Sequence, residues 1–149
     1  MRWLVLMTLV VVLGGVSAAQ APPQLPPQEF KDAKLTISSG DKTKEVDVVL
    51  RFGMDKMQFI NADKRESFKD FAYADCKAAE YSYSKSPRWK SGLLISPFLF
   101  MSSGKKHWFM VKSARDYALV HLDKGNYKLV LAEFETRTGL KVEAEGENK

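Results

Sequence analysis

The most regular alternation of apolar and polar positions runs through residues 46–52, where Val46, Val48, Leu50 and Phe52 are interleaved with Asp47, Val49 and Arg51. A period of two belongs to a strand with one buried face. Gly53, Met54, Asp55 and Lys56 then supply turn residues, and Met57-Gln58-Phe59-Ile60 resumes the apolar run, so the two segments predict a hairpin. A polar turn over 61–66 leads into an apolar stretch at 68–71. The stretch 76–83 follows, in which Tyr81 and Tyr83 alternate with serines, and it reads as another strand. Residues 107–111 and 117–122 are two β-prone runs separated by Lys112-Ser113-Ala114-Arg115-Asp116, a second hairpin.

One segment has a helical period. Tyr127, Val130, Leu131 and Phe134 fall at i, i+3, i+4 and i+7, with Lys128, Glu133, Glu135 and Arg137 around the rest of the wheel. Asp123 and Asn126 are candidate N-caps, and Gly139 stands where a left-handed C-terminal cap is wanted, with Leu140 placed to fold back on Phe134. A single helix cannot bury its stripe alone, so it must pack against the sheet or plug the end of a barrel.

The two ends of the chain read differently. Arg2 precedes an uncharged run from 3 to 16, and Val16-Ser17-Ala18-Ala19 presents the small residues that signal peptidase prefers. Residues 1–19 are therefore expected to be a cleaved signal peptide, and the run is too short to span a bilayer. Export to the periplasm or beyond follows from that reading. Residues 20–29, with Pro22, Pro23, Pro26 and Pro27, are expected to form an extended linker. The ordered domain is placed at 30–143, with 144–149 a small polar tail that frays.

Composition narrows the classes. A chain of 149 residues with 45% hydrophobic and 28% charged residues can bury one core, and it is too apolar for disorder. One cysteine, Cys76, excludes an internal disulfide and a Cys-rich zinc module. The net charge of +5 comes from lysines scattered among acids, and export argues against nucleic acid as a partner.

Several strands followed by one C-terminal helix is the order of pleckstrin-homology-like domains. The segments FGMDKMQFI, FKDFAYADCKAAEYSYSK, KHWFMV and YALVHLDKGNYKLVLAEFETRTGLKV resemble the strand pairs and closing helix of bacterial pleckstrin-homology-like and GRAM-like families. The resemblance implies a mainly β fold, a partly open antiparallel barrel or sandwich of about seven strands with one C-terminal helix. It also implies a binding role rather than catalysis; together with export, the expectation is a binding or scaffolding module of the cell envelope, with no cofactor. Phosphoinositide-binding members carry a basic cluster on the first hairpin. Here that hairpin offers only Arg51 and Lys56, so inositol-lipid recognition does not carry over.

The least ordinary stretch lies between the two halves of the sheet. The apolar run 93–101, interrupted by Pro97, is flanked by Arg88, Trp89 and Lys90 on one side and by Lys105 and Lys106 on the other. One reading is a loop that dips into an anionic membrane surface through Leu94 and Phe98, with the aromatic and basic residues at the headgroups. Another is a buried strand whose proline marks an edge or bulge. A third is an interface with an unknown protein or lipid partner, or with a second copy in a homo-oligomer. No nucleophile elbow, zinc-protease helix, phosphate loop or dinucleotide fingerprint is present. Cys76 with His107 or His121 is the remaining candidate nucleophile and base, and the two histidines with Asp123 the remaining candidate metal set. Both histidines sit in strand-like stretches and read as structural, so the chain is expected to be neither an enzyme nor a metalloprotein.

Overall fold

The computed structural model describes residues 25–39, 42–85 and 104–144. Among them are eight strands: β1 (Gln28–Ser39), β2 (Lys42–Phe52), β3 (Lys56–Asn61), β4 (Ser67–Ala72), β5 (Cys76–Ser84), β6 (Lys106–Ser113), β7 (Tyr117–Leu122) and β8 (Val142–Ala144). A 3-10 turn at Tyr73–Asp75 joins β4 to β5, and the helix α1 (Tyr127–Thr138) lies between β7 and β8. They form one sheet in the order β4-β3-β2-β1-β7-β6-β5-β8, which does not close. All pairings are antiparallel except that of β8, which runs parallel to β5 with Ala79 opposite Val142 and Tyr81 opposite Ala144. The mainly β class with one C-terminal helix is as expected. The strand count is eight rather than about seven because the chain returns to the sheet after the helix.

The inner face of the sheet carries the core. Leu35, Val48, Leu50, Phe52, Met57, Phe59, Phe109, Val111, Val120 and Leu122 alternate with residues of the opposite face along their strands, and Val130 and Phe134 of α1 close over them. Phe134 meets Phe109 edge to face at 5.4 Å, a geometry that matches ring edge to ring face. Gly139 adopts the left-handed cap conformation at φ 72°, its N–H donating to Glu135 O at 2.9 Å, and Leu140 packs against the core as expected. The N-terminal cap departs from expectation. Asn126 holds the cap position without a side-chain cap bond, and its amide donates instead to Lys31 O at 2.8 Å.

That carbonyl belongs to a bulge. The pairing of β1 with β2 shifts between Phe30 and Ala33, and Asp32 has φ 62°, a conformation asparagine and aspartate tolerate better than most residues. The extra residue lets both Phe30 and Ala33 face the core, with Phe30 edge-on to Phe52 at 5.8 Å. β1 starts at Gln28, so Gln28 and Glu29, which the proline pattern assigned to the linker, open the sheet. Ala144, assigned to the tail, ends it. At the other edge, Lys69 of β4 reaches Asp116 Oδ1 at 3.0 Å and Tyr117 O at 2.8 Å, tying the β4 edge to the β6–β7 turn across the open side.

The outer face is not uniformly polar. Val49, Ile60, Trp108, Met110 and Leu119 all project from it, since they alternate with core residues, and all are buried. They stand apart from the continuous core under the helix.

Candidate functional site

Where β5 and β6 run out beyond the core, their inner-face positions change character. Ala79 and Phe109 are buried, but the next positions outward are Tyr81, Tyr83 and, directly opposite Tyr83, His107. Such side chains suit a rim because each presents an apolar face and a polar tip. Tyr127, the first residue of α1, lies over them. The His107 ring stacks on Tyr127 at 3.9 Å and on Tyr83 at 4.5 Å, and Tyr81 stacks on Tyr127 at 5.5 Å. Tyr83 is 55% exposed, so one aromatic face of the stack is open to solvent. Lys105 Nζ sits 5.8 Å from the Tyr83 ring and Lys128 Nζ 5.9 Å from the Tyr127 ring, within cation–π range.

The protons in this cluster are assigned by burial. Tyr81 Oη lies 2.7 Å from His107 Nδ1. Desolvation pushes the Tyr81 phenol up to about 12, helped by Tyr127 and Tyr83, so at neutral pH it keeps its proton and donates it to Nδ1. His107 is therefore neutral and protonated on Nε2. Its own value is lowered from 6.5 by burial, with Asp123 opposing. The arrangement offers a flat aromatic platform with a cationic rim and contains no activated nucleophile.

His121 on β7 is lowered too, first by burial and then by Lys106 and Lys34, against Glu45. Because both folded values lie below 6.5, the unfolded chain takes up protons first, so this contribution is intact above pH 6.5 and is lost as pH falls below it. Asp70 has the opposite sign of shift, lowered chiefly by its bond from Ser67, and its loss begins only below 3.8. The thermal midpoint should fall between pH 7 and pH 5, and a His107→Gln/His121→Gln double variant should flatten that slope. A wild-type midpoint that rises on acidification over this interval would contradict the assignment.

The expected site residues are distributed as follows. Arg88, Trp89, Lys90, Leu94 and Phe98 lie outside the described residues, as does the whole run 93–101. Lys105 and Lys106 diverge: Lys105 is exposed above Tyr83, whereas Lys106 pairs with Glu45 at 3.7 Å and covers the Trp108 ring at 5.6 Å. Cys76 is buried at the far end of β5, opposite Ser113, while His107 is opposite Tyr83. Roughly 20 Å of strand separates them, so this thiol and imidazole do not meet. Burial, then Asp75, raises the thiol, which donates to Ala72 O at 3.5 Å. His121 pairs with Trp108 and so faces the opposite side of the sheet from His107, which keeps the two imidazoles and Asp123 from converging on one ion. Tyr81, Tyr83 and Tyr127 were legible only as strand and helix positions. Their Tyr-x-Tyr spacing beside a facing histidine was the available signal.

No protein-family model matches the chain, and no curated protein matches it either. Solved structures do. One is titled a structure of the Spt16D Pob3N heterodimer, which superposes with a TM-score of 0.51 at 12% identity over 85% of this chain. This chain spans 61% of that chain's length. At such low identity the likeness establishes the fold alone, and that fold is pleckstrin-homology-like. Among the described residues no helix is long and apolar enough to cross a membrane.

Proposed function

We propose that the chain is an exported, non-enzymatic binding or scaffolding module of the cell envelope, built on a pleckstrin-homology-like sheet, that contacts its partner through the Tyr83–His107–Tyr127 rim. The observation that carries this reading is the half-exposed aromatic stack with lysines at its border. A stack serving packing alone would be covered, whereas this one leaves Tyr83 open beside Lys105. The processing signal at 1–19 supports export. The rival in which 93–101 enters anionic lipid counted Lys106 among its headgroup ligands, and that ammonium is engaged by Glu45.

The test compares tagged wild type and Tyr83→Ala, each recovered from the native envelope fraction and checked by N-terminal sequencing and circular dichroism. Both should start near residue 20 and fold alike. The variant should retain roughly fivefold less of the co-purifying partner, the worth of one stacked ring at about 1 kcal/mol. Equal recovery by the two proteins, or a chain that still starts at Met1, would overturn the reading.

A further inference from the structure

The column of Tyr83, His107 and Tyr127 ends in a free ring face and is bordered by cations that no carboxylate neutralises. Elsewhere on the sheet Lys34, Lys56, Lys69 and Lys106 each pair with an acid. Lys105 beside Tyr83 and Lys128 beside Tyr127 pair with none among the described residues, and neither does the exposed Lys85, two residues beyond Tyr83. The acid that acts on His107 is Asp123, and its Oδ2 already accepts from Gly125 N at 2.7 Å. His107 Nδ1 is taken by Tyr81, which leaves the Nε2–H without a partner among the described residues. A tyrosine 55% exposed projects from the sheet, whereas a site for a small molecule is concave and buries most of its ligand. These features suit a polymer that repeats flat rings and negative charges.

We propose that the rim binds an acidic polysaccharide, a chain of sugar rings carrying carboxylates, with one ring flat on the open face of Tyr83 and carboxylates at Lys85, Lys105 and Lys128. This rests on the reading of the rim as the partner site and names the partner's chemistry. The face of a phenol ring is the negative side of its quadrupole, so the polarised C–H bonds of a sugar ring pack against it. The His107 Nε2–H is a spare donor for a sugar oxygen. One stacked ring and three exposed ammonium groups are individually weak, and a polymer offering many equivalent units compensates through multiple engagement. Single-stranded nucleic acid also combines rings with charge, but the export read from residues 1–19 takes the chain away from it.

Titrating the full chain with polymers of matched length separates the ring from the charge. Polygalacturonate carries sugar rings and carboxylates, dextran the rings alone, polyglutamate the charge alone, and oligodeoxythymidylate bases with phosphates. In calorimetry at low salt polygalacturonate should bind, dextran should give no signal, and polyglutamate and the oligonucleotide should each bind roughly fivefold more weakly. Tyr83→Ala, shown to be folded by circular dichroism, should weaken polygalacturonate roughly fivefold and leave polyglutamate unchanged, while Tyr83→Phe keeps most of the affinity. A Lys85→Gln/Lys105→Gln double variant should weaken both polymers and flatten their salt dependence. The proposal is overturned if polyglutamate or the oligonucleotide binds as tightly as polygalacturonate, or if Tyr83→Ala binds polygalacturonate as the wild type does. It is also overturned, with the rim still standing as the partner site, if Tyr83→Ala loses the envelope partner while the wild type does not bind polygalacturonate.

Discussion

Phe134→Ala should destabilise the fold by about 3–5 kcal/mol, whereas Lys128→Ala on the same helix should change stability little. Phe134 is 0% exposed and, with Val130, makes up the buried face of α1. Its ring is held edge-on by Phe109, so truncation removes both apolar burial and an aromatic pair. Neighbouring strands are hydrogen-bonded on both sides and cannot collapse into the space, which keeps the cavity open and the cost high. A denaturant titration decides it: a lower midpoint at unchanged slope is expected for Phe134→Ala. Comparable losses for both variants would mean that the helix presents a different face to the sheet.

What the sequence revealed and what it concealed follow from the range of the interactions. The hairpin of β2 and β3, the strand β5, the hairpin of β6 and β7 and the helix α1 are all written in local periods, and each stands where its period put it. β1 was concealed by its bulge. With Asp32 inserted, Phe30 faces inward together with Ala33 and Leu35, a spacing that matches neither two nor 3.6. β8 has no local signal because its three residues become a strand only by pairing with β5. The same holds at the rim. Tyr81 and Tyr83 announced a strand, but their stacking with Tyr127 depends on the helix returning over that edge, a contact between residues far apart in the chain.

The polar outer face expected of a one-layer sheet is where the structure adds most. Alternation along β6 predicts Phe109 and Val111 inside, yet Trp108 and Met110 between them are apolar as well. A continuous apolar strand belongs to a sheet covered on both faces. The exposed Tyr83 lies at the outer end of β5, away from these buried positions of the opposite face.

Arg137 was assigned by the helical wheel to the polar face, and the structure buries its side chain to 3% exposure. Each of its three guanidinium nitrogens donates a hydrogen bond. Nε donates to Glu133 Oε1 at 2.5 Å, one terminal nitrogen donates to Gly53 O at 2.6 Å, and the other donates to Pro26 O. One guanidinium thus joins the last turn of α1 to the β2–β3 turn and to the residues before β1. Tyr73 shares the Gly53 carbonyl at 2.8 Å, and its phenol is pushed up to about 12 mainly by burial. Arg137→Ala should cost about 3–5 kcal/mol, because it removes a buried guanidinium that joins three segments and leaves the partly buried Glu133 carboxylate without its partner. Arg137→Lys should recover only part of that, since an ammonium cannot serve three acceptors in the directions a planar fork serves. Adding Glu133→Gln to Arg137→Ala should restore some stability by removing the orphaned charge, a coupling that a double-mutant cycle in denaturant reads directly. A loss below about 1 kcal/mol for Arg137→Ala would mean that the guanidinium is solvated and that α1 is held by Val130 and Phe134 alone.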